Sequence, residues 1–537
     1  MPKVAKKQRV TPPLEPSRKK SASKSTTPGS RSSSARPQTS VSTPEPIYRN
    51  SRSRSVSVHP IPDTPVSREC WIAESGAPGP GFLSCEDVVK NLMKGYKSYF
   101  RNPDNLNDTS FDPHATDYPA VVLEYPNSEA CERFILLTPK DKDHYNPIMC
   151  LEKTLHVIVE HYLTPEQREL VGPLPTDILA DVTPPSSPLL SAFPSPAGST
   201  TSTLTSLSSS TNSSLCSSLT SLSSLSDSPP PPGGYLRAVQ RAIHRQDGPT
   251  FLKAMYHIND LFRSFKYPPL SPDPFDEPPP NPLKEVVKTW TPDGLPKKVM
   301  TRIIDECYQR CVGPHVQSLR QYTAFTSEVY GELMPSLVSE IVLATGLKPD
   351  SLFMDLGSGV GSIAMQASLQ SGCKSYGIEL MPQPARIARE QLEQFKIRCR
   401  MWGVSAGEVE LEEGDMLKSQ RVDELLKEAD VVLVNNKVFE ESLNEALRPK
   451  FLDLKEGAIV VSLKEFAPVD SRVTERNVDD MSTIFKVHAM KYHSGSVSWG
   501  SGGGLYYIHR VDREGYAELV KNFHTSRSSS RTARSRR

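Results

Sequence analysis

The amino-acid sequence predicts an α/β fold: a mostly parallel sheet ending in an antiparallel hairpin, preceded by a mainly helical lobe, with disordered N- and C-terminal arms. Three observations carry that expectation. From about Leu337 onward, short apolar runs alternate with amphipathic stretches, the rhythm of strands joined by crossover helices. A triple-glycine turn, "DLGSGVGS", follows the first of those runs. Proline and serine are concentrated in segments without apolar periodicity, so the 537 residues do not read as one continuous core.

Taken in order, residues 1–75 are rich in Ser, Pro and basic side chains and too poor in apolar ones to fold. A mainly helical lobe is expected over 82–335. In it "AVVLEYP" and "RFILLTP" read as strands ending at proline, and "IMCLEKTLHVIVEHYL" as a helix. Residues 183–234 interrupt this lobe with a Ser/Pro-rich insertion, read as disordered because its leucines lack a helical period and its hydroxyls compete for backbone hydrogen bonds. Beyond it, "YLRAVQRAIHRQDGPTFLKAMYHINDLFRSF" and "PKKVMTRIIDECYQRCV" are amphipathic helices. The segment 336–520 holds the sheet. Its strands are "SLFMDLGSG", "KSYGIEL", "VELEEGD", "DVVLVNN" and "GAIVVSL", and "IFKVHAMKYH" with "GLYYIHRVD" forms the closing antiparallel pair. Residues 525–537 are a basic tail with five arginines and no acid.

Net charge is only +1, yet thirteen Lys or Arg face two acids between Met1 and Arg54. Two basic ends are attracted to polyanions, which favours nucleic acid or chromatin over an inert tail. The nine cysteines include no CxxC pair, and Cys307 and Cys311 lack a second pair of metal-ligand spacing, so no metal site is expected. No run approaches the roughly 18 apolar residues of a membrane span, and "KVAKKQR" and "SRKKSASK" are compatible with nuclear import.

Gly357, Gly359 and Gly361 are spaced GxGxG, not the GxGxxG that packs a helix start under a dinucleotide pyrophosphate. Asp355 precedes the loop, and Glu379 ends the second strand, where a carboxylate can accept from two adjacent ribose hydroxyls. After the third strand Asp415 can accept from an adenine amine with Met416 over the ring, and Asn435 and Asn436 end the fourth, facing a transferring methyl. Any one of these could be a strand terminator or helix cap. Four suitable residues at four successive strand ends point instead to a nucleoside cofactor without a pyrophosphate, S-adenosyl-L-methionine, and to a class I methyltransferase-like Rossmann sheet. The Asn-Pro-Pro-Tyr clamp of adenine methyltransferases is missing, because Lys437 and Val438 follow the asparagine pair, so a base acceptor is disfavoured.

The glycine loop, "VYGELMP", "VNNKVFEESLN" and "GSVSWGSGGGLYYIH", with "LEYPNSEACERFILL" and "HYNPIMCLEKTL" earlier in the chain, resemble one family over about 82–515. It is the Dot (disruptor of telomeric silencing) family of non-SET histone H3 lysine methyltransferases, in its fungal form. The resemblance implies that Tyr330, Gly331, Glu332 and Leu333 lie over the cofactor. It implies that Phe353, Asp355, Leu356, Gly357, Ser358, Gly359, Val360, Gly361 and Ser362 form the glycine motif that binds it. Glu379 then takes the ribose, Asp415 and Met416 the adenine, and Asn435 and Phe439 the site after strand four. Phe325, Trp499 and Tyr506 become the aromatic walls of a lysine channel, with Asn435 orienting the reacting end. Departures are Ser362 in place of a glutamine or asparagine, Leu333 in place of a threonine-like residue, Lys437 in place of an apolar one, and the tract "GSGGGL".

The implied function is methyl transfer to a lysine in the folded core of histone H3 on nucleosomes, acting in telomeric silencing, transcription regulation and the DNA damage checkpoint. The implied location is the nucleus. Implied partners are the nucleosome and, through the basic arms, DNA; no membrane is involved and the chain is a monomer. Two other readings stay open at this point: a chromatin scaffold that has lost catalysis, and a methyltransferase for RNA or another basic protein.

Overall fold

The computed structural model describes residues 66–142, 144–174, 231–319, 331–469 and 480–534. Most of the basic arm, nearly all of the serine-rich insertion, and the expected site residues Phe325 and Tyr330 lie outside the described residues.

The N-terminal lobe begins with α1 (Cys85–Asn91), whose Ser84 and Asp87 form a reciprocal capping box. Two antiparallel ribbons follow: β1 (Tyr96–Ser98) pairs with β4 (Leu137–Pro139), and β2 (Ala120–Glu124) pairs with β3 (Cys131–Ile135). Helices then dominate: α2 (Pro147–Tyr162), α3 (Pro165–Val171), α4 (Gly234–Arg245), α5 (Gly248–Lys266), α6 (Pro282–Lys288), α7 (Lys297–Cys311) and the short α8 (Val316–Leu319). Asn146, Thr164, Asp247 and Asn281 cap α2, α3, α5 and α6 through their side-chain oxygens, and each is followed by proline in the first helical turn.

From α9 (Pro335–Thr345) the chain alternates as expected: β5 (Leu352–Leu356), α10 (Ser362–Ser371), β6 (Lys374–Glu379), α11 (Pro382–Trp402), β7 (Val409–Glu413), α12 (Gln420–Leu426), β8 (Val431–Val434), α13 (Glu441–Leu447) and β9 (Ile459–Ser462). The hairpin β10 (Phe485–Tyr492) and β11 (Gly504–Val511) closes the sheet, and α14 (Arg513–Arg534) follows. Strand order is β10-β11-β9-β8-β5-β6-β7. The five strands from β9 through β7 are parallel, and β11 inserts antiparallel between β9 and β10. The order reverses at β5, so the carboxyl ends of β5 and β8 form the crevice where such sheets bind ligands.

One expectation is corrected. The folded region starts before residue 82: Cys70 has no accessible surface, its carbonyl accepts from Ser405 N–H at 2.8 Å, and Trp71 bridges to Val404. The short apolar run "CWIA" covers the end of α11, contacts too distant in sequence for local composition to reveal. The backbone of α14 runs on into the basic tail as far as Arg534; once a helix is nucleated, each further residue such as Arg or Ala extends it at little cost. The lobe and the sheet share a core. Met365 and Leu369 of α10 and Leu392, Phe395, Met401 and Trp402 of α11 belong to the lobe's own hydrophobic cluster.

A buried ionic network pins this shared core. Glu132 on β3 receives Arg310 of α7 at 2.9 Å and Arg398 of α11 at 3.0 Å, and all three side chains are essentially inaccessible. Glu306, one turn earlier on α7, accepts from Thr154 (2.6 Å), Tyr125 (3.0 Å) and the Trp402 indole (3.1 Å). The two guanidiniums hold Glu132 down at about 2 despite burial that alone would raise it. Such a cluster adds little net stability, but removing one member strands an uncompensated charge. Its effect is to fix α7 against the sheet.

Candidate active site

Strand β5 is covered on both faces, so its sequence is nearly all apolar, and Asp355 is the single acid in it. That carboxyl has no accessible surface, and neither oxygen has a hydrogen-bond partner among the described residues. Burial, and secondly the charge of Glu379, push it from 3.8 up to about 7. Beyond it the chain turns through Gly357, Gly359 and Gly361, with φ of 92°, 56° and 79°, the left-handed region that side-chain-bearing residues disfavour. The N–H groups of Gly357 and Ser358 both donate to the Ile378 carbonyl at 2.9 Å, holding the turn across the end of β6. Gly377 allows that crossing, since a Cβ there would lie 2.8 Å from the Ser358 Cβ.

Glu379 stands at the carboxyl end of β6. Gly359 N–H donates to its Oε2 at 2.9 Å and Met381 N–H to its Oε1 at 2.8 Å. These bonds partly offset the upward shift that burial gives it. Asp415 is held by Leu417 N–H (2.9 Å) and the Lys418 ammonium (2.8 Å), which keep its carboxyl below the usual range. Met416 and Phe439 lie beside the open face of Gly357, their Cε and Cζ 3.9 and 3.8 Å from where its Cβ would be. Gly357, Met416 and Phe439 thus form an apolar slot flanked by two fixed carboxylates.

On the other side of the crevice, Asn435 Nδ2 donates to the Gly331 carbonyl at 3.0 Å. The stretch after Gly331 pairs with the loop before β11. Ser498 N–H donates to the Glu332 carbonyl (2.9 Å), Glu332 N–H to the Ser498 Oγ (2.9 Å), and Met334 N–H to the Ser496 carbonyl (2.9 Å). Leu333 bridges Val497 and is buried. Trp499 packs against Gly331, where a Cβ would come within 2.7 Å of its Cε3, and it remains 39% exposed.

The fold therefore brings together Gly331, Glu332, the glycine loop, Glu379, Asp415, Met416, Asn435, Phe439 and Trp499. Six expected side chains point elsewhere. Phe353 and Leu356 are interior side chains on opposite faces of β5, because strand residues alternate and both faces are covered. Tyr506 has no accessible surface and sits in the cluster with Leu337, Met490 and Val497; its hydroxyl has no partner among the described residues, and burial pushes it up to about 12. Asn436 faces inward: it donates to the Asn444 side chain and the Lys464 carbonyl, and accepts from the N–H groups of Leu463 and Lys464. Leucine at 333 and valine at 360 fill core positions, the latter beside Cys311, Val312 and Ile387. Ser362 opens α10 and accepts from Gln391 at 3.1 Å, and the same amide donates to the Val360 carbonyl.

Gln391, Gly377 and Ser498 complete the site and were not singled out in the sequence. A buried amide on the apolar face of α11 and a glycine inside a strand are the signals that could have found the first two.

A seven-stranded sheet of this order, with a glycine turn after β5, an acid ending β6 and a second after β7, defines a class I S-adenosyl-L-methionine-dependent methyltransferase. The residues fit that cofactor. The unpartnered Asp355 carboxyl suits an ammonium group, Glu379 a pair of ribose hydroxyls, and the slot between Gly357, Met416 and Phe439 a flat ring.

Comparison with known proteins narrows the class. The family model described as histone methylation protein DOT1 matches residues 308–511. An H3 lysine-79 specific histone-lysine N-methyltransferase from Cryptococcus neoformans is 34% identical over 471 residues, covering 83% of this chain and 72% of its own length. One from Mycosarcoma maydis is 32% identical over 531 residues, covering 82% of this chain and 64% of its own. One from Emericella nidulans is 46% identical over 211 residues, 39% of this chain and 42% of its own. The chain belongs to the DOT1 family of histone methylation proteins. Among solved structures, an O-methyltransferase from Bacillus cereus covers 39% of this chain and 90% of itself at 16% identity and a TM-score of 0.27. The fold assignment rests on the strand order and not on that likeness.

Proposed function

We propose that this protein transfers a methyl group to a lysine in the folded core of histone H3, the position its relatives' lysine-79 specificity names, and does so on nucleosomes in the nucleus. The observation that carries the reading is the meeting of Asn435, Gly331 and Trp499 across the crevice from the glycine loop: a polar side chain and an exposed aromatic face beside the cofactor slot.

S-adenosyl-L-methionine, when bound, supplies an electrophilic methyl group. The chain's residues must then deliver a neutral amine in line with it. A free lysine has a pKa near about 10.4 and is mostly protonated at neutral pH. An apolar, aromatic-walled approach disfavours the ammonium, and an indole face still attracts a methylated cation. Trp499 supplies that face. Asn435, fixed through Gly331, orients the reacting end. Tyr506, which has no accessible surface, does not touch the amine.

A lysine on a folded surface offers no extended peptide, so recognition is of the particle. The basic segments at both ends suit DNA phosphates, whose contacts are sequence-independent and salt-sensitive. Incubating reconstituted nucleosomes with tritiated cofactor tests the reading. Wild type should label H3, while Asn435→Ala and Gly359→Arg should not; equal labelling by all three would overturn it.

A further inference from the structure

Helix α7 ends between two parts of the site. Its last turn, with Cys311 and Val312, packs on Val360 of the glycine loop, and the Tyr308 ring lies against the same cluster. The Tyr308 hydroxyl donates to Glu332 Oε2 at 2.9 Å. Glu332 is also tied through its backbone to Ser498 in both directions, and Ser498 precedes Trp499. Gly331, the residue before Glu332, carries the carbonyl that Asn435 reaches and the surface on which Trp499 lies.

Helix α7 is also held firmly by buried polar contacts. Arg310 forms a forked pair with buried Glu132, and Glu306 is satisfied by Thr154, Tyr125 and Trp402. Tyr308 lies between Glu306 and Arg310 on the same helix, so its hydroxyl has a fixed origin. The Gly331–Met334 segment is joined to the loop before β11 through Glu332, Leu333 and Met334.

We infer that Tyr308 is a positioning residue for methyl transfer: its hydrogen bond to Glu332 anchors the segment that carries Gly331 and, through Ser498, Trp499, and so sets both the cofactor-side cover and the acceptor-side wall from one rigid helix. Neither Tyr308 nor Ser498 touches the reacting atoms in this account. The inference rests on the proposed site reading and adds to it the element that aligns the two halves.

The test uses the full chain and Tyr308→Phe, which keeps the ring and its packing and removes only the donor. Loss of one hydrogen bond to a carboxylate should weaken S-adenosyl-L-methionine binding about tenfold, with the thermal midpoint unchanged. Iodide quenching of Trp499 fluorescence, isolated by subtracting a Trp499→Phe control, should rise in the cofactor-bound state. Glu332→Gln should give the same changes, and the double variant should be no worse than either single one. If Tyr308→Phe binds cofactor, shields Trp499 and methylates like wild type while Asn435→Ala fails, the positioning role is overturned and the site reading survives. If Asn435→Ala also methylates like wild type, the site reading itself falls.

Discussion

Replacing Asp355 with asparagine separates what this carboxyl costs in folding from what it contributes to binding. It is fully buried, unpartnered among the described residues, and pushed from 3.8 up to about 7 by burial and then by Glu379. In the cofactor-free protein the native state keeps a proton that the unfolded chain releases over that window. The sign is therefore that stability falls as pH rises from about 4 to 7 and stays low above it. That rise from 3.8 to about 7 corresponds to at most roughly 4 kcal/mol. An unpaired buried amide takes back part of this, so Asp355→Asn should gain about 1–3 kcal/mol at pH 8, read by urea denaturation. Binding runs the other way. If the ionised carboxylate pairs with the cofactor's ammonium, wild-type affinity should weaken about tenfold per pH unit from 7 to 5. Titration calorimetry in two buffers of different ionisation enthalpy should count close to one proton released at pH 6. The variant should bind about 10- to 100-fold more weakly at pH 8, with no proton release and a flat profile. An asparagine variant less stable than wild type at pH 8, or one with unchanged affinity and pH profile, would refute the assignment.

Four further outcomes follow from the same geometry. Gly331→Ala places a methyl 2.7 Å from the Trp499 ring and should slow methylation about tenfold with little change in thermal midpoint. Arg398→Met leaves buried Glu132 with Arg310 alone and should cost about 3–5 kcal/mol in denaturant unfolding. His509 and His156 are held neutral by burial, each lowered from 6.5 to about 4, so stability present above pH 6.5 should be lost as pH falls toward 4; urea midpoints at pH 7 and 5 in the Asp355→Asn background check this, and equal midpoints would contradict it. Deleting residues 1–65, which spares the packed segment around Cys70, should weaken nucleosome binding and flatten its salt dependence, measured by a salt titration.

The parallel half of the fold was legible because β5, β8 and β9 are short apolar runs bounded by turns, and the cofactor side because Asp355, Glu379 and Asp415 are acids at or just past strand ends, where local sequence already places them. Phe353, Leu356 and Asn436 sit in the same motifs but point inward, and motif membership carries no information about side-chain direction. The joining of lobe and sheet through Glu132, Arg310 and Arg398 was not legible at all. Those three charges are 178 and 266 residues apart in pairs, and each alone reads as a solvated side chain. Tyr308 and Ser498 escaped for the same reason, since their importance lies in contacts with Glu332 that span 24 and 166 residues.

Mass spectrometry of histones from nucleosomes incubated with the full chain and S-adenosyl-L-methionine tests the central claim most directly. The account predicts methylation at one lysine in the folded core of H3, abolished by Gly359→Arg and by Asn435→Ala. Unmodified H3 with wild-type protein that demonstrably binds the cofactor, or modification confined to histone tails, would contradict it.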